Sequence, residues 1–345
     1  MDRLEANRDY ECFCGNGIAS EFVAGYILEK LNLARTDKAP FKVAIISDRQ
    51  VSGYYYNSFE NQFLLRNIKP GLIVYEATES SKSLKTIHDI TLDLAEMNLG
   101  AGDWIVALGG GGVLDCASFA RTIYSGKTGL VLVPTTLSAM AESTVAGKAY
   151  LNSGKYKDVA SIDIYPDAVF VDPSFLKTVP SKYKNNGYSP IIRLAILKDI
   201  SLISDLTDES VDFREFLNRV YSARSNIEYK NPELLNLGSE IAHAIEGYFR
   251  FMNYSDGQAL ALSLYSCMPE EGREALGAIY SKLGLPTKLE GVAKSMIMKS
   301  LDSILDRKGL GPYSVVDYDS GRWVIKSLTK EEALQLFSGR LDVIC

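Results

Sequence analysis

The chain has 345 residues, of which 46% are hydrophobic, and its formal net charge is −6. This length and composition allow a large buried core and predict two domains. The negative charge argues against a nucleic-acid-binding surface. No apolar run approaches the roughly 20 residues that a membrane-spanning helix needs. An anionic ligand would therefore have to be held by local Lys or Arg side chains.

Cysteine usage and the polar amino-terminal sequence bear on the compartment. The five cysteines are Cys12, Cys14, Cys116, Cys267 and Cys345. Cys12 and Cys14 alternate along a predicted strand and lack the second pair that a zinc site needs. We expect ordinary thiols in a reducing environment. Because the first residues do not resemble a signal peptide, the sequence predicts a soluble cytoplasmic protein.

The first half of the chain alternates short β-rich runs with helical patterns. Strands are predicted at residues 42–47, 72–76, 104–108 and 129–134, and helices at residues 51–66, 83–98 and 112–124. Residues 145–151 and 159–164 are predicted to form a hairpin. Strand, helix and strand in repetition predict a parallel sheet that is covered by helices on both faces.

From Ser181 onward the pattern is helical, apart from one β-like hairpin at residues 313–325. The predicted fold class is therefore α/β + α. We expect a Rossmann-like parallel sheet domain over residues 1–182, followed by a helical domain over residues 183–345. In such folds the ligand cleft is expected between the domains.

A glycine-rich turn follows the third predicted strand. Residues 104–108 lead directly into four glycines, from Gly109 to Gly112, and then into a helical pattern. Glycines at the carboxyl end of a buried strand let a phosphate approach the backbone and present amide donors at a helix N-terminus. The alternative for any such run is a tight turn without a ligand.

The residues after this turn form an ordered set that carries a family resemblance. They are Asp115, Pro134-Thr135-Thr136, Glu142, Gly147-Lys148, Asn152 and Gly154-Lys155. The set resembles the dehydroquinate synthase family of sugar phosphate cyclases, within the iron-containing alcohol dehydrogenase superfamily. The resemblance extends over most of the chain and implies the same two-domain fold.

The resemblance implies NAD as a cofactor. It places Asp48 at the adenine-side ribose, and Glu79 and Lys82 along the nucleotide. The remaining cofactor positions are Gly109, Gly110 and Gly111 at the pyrophosphate, Asp115 on the following helix, and Thr135 and Thr136 after the next strand. The alternative is that each residue separately is a turn, cap or surface residue, which the joint spacing disfavours.

The resemblance also implies a small anionic, phosphorylated substrate and a homodimer. The catalytic and substrate positions fall at Glu142, Lys148, Lys155, Arg193, Asn236 and His243. The basic pair Arg307-Lys308, and in one alignment Arg224, stand where the family has lysines. Clustered cations suit a phosphate or carboxylate. A single lysine is more often a solvated surface residue.

The family holds a divalent metal with one carboxylate and two histidines, but here these positions fall at Pro190, Ser239 and Asp256. Proline has no donor atom and serine is a poor ligand. We therefore expect no metal. A relocated site built from Glu240, His243 and Asp256 is the alternative, since the first two lie three apart on a predicted helix.

Two functions remain open from the sequence. The first is a dehydroquinate synthase-like, NAD-dependent enzyme that acts on a sugar phosphate or polyhydroxy acid by transient oxidation, elimination and cyclisation, without the metal. The second is a non-catalytic nucleotide-binding homologue with a regulatory or partner role. Retained Lys148 and Asp115 favour the enzyme, and Pro190 favours the homologue.

Overall fold

The computed structural model describes residues 1–5, 10–34, 41–208 and 210–345. These residues divide into two compact units. The first comprises Met1–Ser153 and Asp158–Pro180, and the second comprises Gly154–Lys157 and Ser181–Cys345. A largely parallel sheet followed by helices confirms the predicted fold class.

The first unit is built on a twisted sheet. The strands of the main sheet are β1 (Asp2–Arg3), β2 (Glu11–Cys14), β3 (Val43–Asp48), β4 (Gly71–Tyr75), β5 (Trp104–Gly109), β6 (Gly129–Pro134) and β9 (Ala168–Val171). A separate two-stranded sheet consists of β7 (Lys148–Ser153) and β8 (Tyr156–Asp163), and the first two residues of β8 belong to the second unit. The order in the main sheet is β1-β2-β9-β6-β5-β3-β4. Among the described residues β1 pairs antiparallel with β2, and the other neighbours pair in parallel.

Helices cover this sheet, which explains the apolar central strands. They are α1 (Ala19–Ala34), α2 (Arg49–Leu64), α3 (Leu84–Glu96) and α4 (Gly111–Ile123). Every residue of β5 is buried, as expected for a parallel strand with both faces covered. Close packing extends to the neighbouring strand, because a Cβ atom on Gly129 would lie 2.6 Å from the Trp104 ring.

The second unit is mainly helical. Its elements are α5 (Ser181–Lys184), α6 (Tyr188–Leu197), α7 (Leu202–Asp205), α8 (Phe213–Lys230), α9 (Ser239–Tyr248), α10 (Asp256–Cys267), α11 (Glu270–Leu283), α12 (Lys294–Lys308), α13 (Lys330–Ile344) and the hairpin β10 (Tyr313–Asp319) and β11 (Arg322–Leu328). Helix α10 lies in the core of this unit, since α6, α9 and α13 all pack against it. Ile245, Leu262 and Phe337 are fully buried in this core.

Two glycines in the second unit allow backbone segments to touch. A Cβ atom on Gly257 would lie 2.3 Å from the Cα atom of Asn186. A Cβ atom on Gly247 would lie 2.6 Å from the carbonyl oxygen of Lys155. Both glycines are therefore required by space, and Gly247 brings α9 against the turn at residues 154–157. In the described part of the chain, no helix combines the length and apolarity needed to cross a bilayer.

Candidate functional site

The predicted glycine turn joins β5 to α4. Gly110 caps the helix in an extended conformation, with φ −75° and ψ −179°. The turn has little room for side chains, because a Cβ atom on Gly109 would lie 2.5 Å from Val113 and one on Gly111 would lie 3.0 Å from Ser143. Glycine is therefore needed at positions 109 and 111, where a side chain would collide with neighbouring atoms.

The N-terminus of α4 presents unpaired donors. The first amides of a helix have no partner within the helix, and Gly110 supplies no side-chain cap. The helix dipole adds partial positive charge at the same end. Thr135 lies beside the turn, with its amide donating to the Gly109 carbonyl at 2.9 Å. Its hydroxyl is buried and has no hydrogen-bond partner within the described residues, so this place fits an anionic, oxygen-rich group.

Asp48 and Thr136, two other predicted cofactor residues, make local capping contacts. Asp48 Oδ1 accepts hydrogen bonds from the amides of Gln50 at 2.8 Å and Val51 at 2.9 Å. Thr136 Oγ1 accepts from the amide of Ala139 at 3.3 Å. A carboxylate has two acceptor oxygens, so capping of α2 by Asp48 is compatible with a ribose hydrogen bond.

The structure brings Glu79, Lys82 and Asp115 together in a buried polar cluster. Lys82 Nζ lies 2.7 Å from Asp115 Oδ2 and 3.9 Å from Glu79 Oε2. Asn152 Nδ2 donates to Glu79 Oε2 at 3.0 Å, and the amide of Asp158 donates to Asn152 Oδ1 at 2.9 Å. The predicted cofactor residues thus contact one another, which the sequence pattern did not indicate.

One ammonium faces three carboxylates in this cluster. Burial opposes the charge of Lys82, but Asp115, Glu79 and Asp158 outweigh it and hold the Lys82 pKa well above its usual value. Burial also raises the pKa of Asp115 to about 6; Lys82 acts in the opposite direction, and the other two carboxylates add to the increase. Both shifts follow from excess negative charge in a desolvated place.

A second polar cluster lies in the helical unit. Glu240, His243 and Glu246 recur every three residues along α9 and therefore lie near one face. Lys308 Nζ donates to Glu240 Oε1 at 2.9 Å. Lys157 Nζ donates to Glu246 Oε1 at 2.8 Å and also to Asp256. Each carboxylate therefore has a lysine partner.

Cations surround His243. Its side chain is enclosed by protein atoms while keeping partial solvent contact. Burial, followed by the charges of Lys157, Lys308, Arg193 and Arg307, lowers the pKa of His243 to about 3. The imidazole is thus neutral near pH 7. A neutral imidazole can both donate and accept a hydrogen bond, whereas the usual pKa would allow it to carry a proton near pH 6.5.

Two cations lie over the ring of Tyr156, the residue that follows Lys155. The distance to the ring centroid is 5.3 Å from Lys155 Nζ and 4.5 Å from Arg307 Cζ. A hydrogen bond from Ser303, followed by the charge of Lys155, lowers the pKa of Tyr156. This cation–π arrangement orders Lys155 and Arg307 next to each other.

The remaining predicted residues have diverse surroundings. Arg193 is buried on α6, and its charge contributes to the field at His243. Asn236 is exposed at the end of the short helix Pro232–Asn236. Lys148 is exposed in the first unit and pairs with Asp163 at 2.7 Å. Glu142 is half-buried in the helical turn Ala139–Ser143, and Arg224 pairs with Glu228 at 3.0 Å.

The residues at the resembled metal positions are a poor fit for a divalent ion. Pro190 lies on α6 without a donor atom, and Ser239 begins α9. Asp256, at the third position, pairs with Lys157. In the alternative, relocated set, Glu240 already pairs with Lys308. Tetrahedral zinc sites rely on thiolates, imidazoles and carboxylates that are available to the metal.

Lys157 is the residue that the sequence pattern missed. Its side chain is 8% exposed and joins two helices through Glu246 and Asp256. Its spacing from Lys155 could have identified it. Lys157 lies two residues after Lys155, at the start of β8, and alternate side chains of a strand lie on the same face. Asn152 was noted in the ordered set, but its contact with Glu79 was not foreseen.

Comparison with known proteins assigns the family. The profile described as 3-dehydroquinate synthase N-terminal matches residues 72–186. The 3-dehydroquinate synthase of Enterococcus faecalis strain OG1RF is 30% identical over 264 residues, covering 73% of this chain and 74% of the relative. That of Clostridium acetobutylicum is 29% identical over 294 residues, covering 79% and 82%.

Solved structures share the fold at low sequence identity. A 2-epi-5-epi-valiolone synthase from Streptomyces hygroscopicus with NAD+ and Zn2+ bound superposes with a TM-score of 0.77 at 18% identity, covering 96% of this chain and 97% of that one. A 2-deoxy-scyllo-inosose synthase complexed with carbaglucose-6-phosphate, NAD+ and Co2+ gives a TM-score of 0.76 at 18% identity, covering 98% and 99%. Together with the sequence matches, these findings show that the chain belongs to the 3-dehydroquinate synthase family.

Proposed function

We propose that this family member is an NAD-dependent enzyme that acts on a phosphorylated sugar or polyhydroxy acid without a resident divalent metal. The observation that carries the proposal is the turn between β5 and α4. There is no room for side chains at Gly109 and Gly111. The N-terminus of α4 and the Thr135 hydroxyl, which has no partner within the described residues, offer donors to an anionic ligand. Two proteins of the same fold have NAD+ bound.

NAD, when bound, supplies reversible oxidation of a substrate hydroxyl, which acidifies the adjacent C–H bond and permits elimination of phosphate and ring closure. The chain contributes binding and electrostatics. The amides of Gly111 and Gly112, at the start of α4, would hold the pyrophosphate of NAD. Arg193 and Lys155 attract the substrate anion, and neutral His243 hydrogen-bonds its oxygens. Charge that develops on a substrate oxygen is stabilised by these preorganised cations.

The decisive experiment is mass spectrometry of the ligand released from purified protein, together with elemental analysis. We expect NAD without stoichiometric zinc, cobalt or iron. Calorimetry with NAD on the stripped protein then gives the affinity, and release of inorganic phosphate from a panel of phosphorylated sugar acids in EDTA tests turnover. Absence of NAD and NADP binding would contradict the proposal.

A non-catalytic nucleotide-binding homologue is the second candidate. One observation favours it, because Lys82 and Asp115 satisfy each other and Asp48 caps α2, so these side chains have structural roles without a ligand. The two candidates differ in turnover. NAD binding without phosphate release across the whole panel supports the homologue, whereas release that requires NAD supports the enzyme.

We also propose that the protein is a homodimer, as the resemblance implies. Size-exclusion chromatography with light scattering tests this directly. A mass near 38.0 kDa, that of one chain, would contradict it.

A further inference from the structure

We propose that the ammonium group of Lys157 takes the place of the divalent ion that the family resemblance implies. Its positive charge would then act on the oxygens of an anionic ligand. The ligand class rests on the function proposed above, whereas the cation assignment rests on geometry alone. Lys157 contacts Asp256, which stands at one of the three resembled metal positions.

Burial makes Lys157 necessary. The side chain of Glu246 is 1% exposed, that of Lys157 is 8% exposed, and their atoms are 2.8 Å apart. A buried carboxylate without a cation is strongly unfavourable. Asp256 is 40% exposed, so the pair opens toward solvent on the side of this second carboxylate. An anionic ligand oxygen near Asp256 would therefore depend on the Lys157 charge to offset the repulsion from that carboxylate.

The backbone conformation of the turn at residues 154–157 places Lys157 next to α9. Gly154 begins the turn with φ 58°, a left-handed conformation that favours glycine. Gly247 then lets α9 approach until its backbone leaves no space for a side chain beside the Lys155 carbonyl. Lys157, two residues after Lys155, donates a hydrogen bond to Glu246 on α9. The close approach and the ion pair thus occur at adjacent positions of α9.

The carboxylates near His243 are already paired with lysines. The cations that act on His243 are Lys157, Lys308, Arg193 and Arg307. Two of them, Lys157 and Lys308, pair with Glu240, Glu246 and Asp256. A divalent ion would have to displace these lysines, whereas loss of Lys157 would leave Glu246 and Asp256 as metal donors.

The test is titration of the full chain with Zn2+ or Co2+ alone, followed by calorimetry and by the visible absorption of bound Co2+. Lys157→Met removes the charge while keeping the length of the side chain, and Lys155→Met is the matched control on the same turn. We expect Lys157→Met to bind Zn2+ roughly tenfold or more tightly than wild type. Wild type and Lys155→Met should have the same affinity for Zn2+.

A second substitution separates the new site from adventitious metal. Lys157→Met combined with Asp256→Asn should lose the gained affinity. Tight Zn2+ binding by wild type that is lost in Asp256→Asn would overturn the proposal, as would a Lys157→Met protein with unchanged affinity. Should Lys157→Met fold only with metal, its melting temperature will rise with added Zn2+, while Lys157→Arg, which keeps the charge, will not respond.

Anion binding gives an independent readout of the second part of the proposal. Inorganic phosphate is the probe, and we expect Lys157→Met to bind it roughly tenfold more weakly than Lys157→Arg. Equal phosphate affinity of these two variants would refute the ligand role. Because neither titration needs NAD or turnover, a protein that fails to bind NAD but gains Zn2+ affinity in Lys157→Met refutes the proposed function and upholds the inference.

Discussion

Two lysines in the first unit form ion pairs of equal length and different burial, and this contrast yields a sharp stability prediction. Lys82 and Asp115 are 2.7 Å apart with side chains 7% and 10% exposed. Lys148 and Asp163 are also 2.7 Å apart, but with side chains 47% and 66% exposed. Distance is therefore held constant while the surrounding dielectric changes.

The expected magnitudes differ several-fold. Lys82→Met leaves the Asp115 carboxylate buried without its cation, and removing one partner of a buried pair costs about 3–5 kcal/mol. Glu79, at 3.9 Å from Lys82, adds to the uncompensated negative charge. Lys148→Met removes a solvent-exposed pair that is screened and entropically costly to hold, so the expected loss is about 0–1 kcal/mol.

The assay is urea unfolding followed by tryptophan fluorescence. The chain has two tryptophans. Trp104 lies in β5 of the first unit and Trp323 lies in β11 of the second. In a Trp323→Phe background, the signal therefore reports on the unit that carries both lysines. Equal losses for Lys82→Met and Lys148→Met, or a Lys82→Met loss below about 1 kcal/mol, would refute the reasoning from burial.

Three further outcomes are expected. Gly110→Val should abolish NAD binding in calorimetry because the valine side chain fills the turn, and the circular dichroism should be unchanged. Gly112→Ala serves as the control, because the surroundings of Gly112 are more open. The lowered pKa of His243, about 3 against 6.5, means that the unfolded chain binds its proton first. His243 alone should then lower the free energy of unfolding by about 1.4 kcal/mol per pH unit as the pH falls from 6.5 toward 3, and His243→Asn should remove this contribution in denaturation curves. Gly247→Ala should cost about 1–3 kcal/mol, since its Cβ meets the Lys155 carbonyl; unchanged unfolding would contradict this.

The sequence predicted the sheet and the glycine turn because their signals are local. The apolar run at β5, the glycines and the helical pattern after them are contiguous, and each constrains the backbone directly. Strand β9 was not predicted, since its four residues, Ala168–Val171, are too short to show periodicity. Its place between β2 and β6 depends on pairing across the chain.

The polar clusters were predicted only in part, because ion pairs depend on tertiary proximity. Glu79 and Lys82 are neighbours in sequence, yet their partner Asp115 arrives from α4. The pattern identified all three as cofactor residues and gave no sign that they would satisfy one another. His243 was identified as a substrate-side residue, but its depressed pKa arises from burial and from cations on three separate segments, β8, α6 and α12.

The metal positions show most clearly why a sequence comparison needs the structure. When the sequence is compared position by position, Pro190, Ser239 and Asp256 appear only as replacements of the family's metal ligands. In terms of charge, however, Lys157 must be considered with them, because it contacts Asp256 and Glu246. A divalent ion and an ammonium group both neutralise carboxylates, but the ammonium group needs no imidazole ligands. Once a lysine supplies the cation, nothing in the electrostatics requires histidines at positions 239 and 256. We therefore propose that the residues at the three ligand positions and the lysine at 157 form one compensated arrangement.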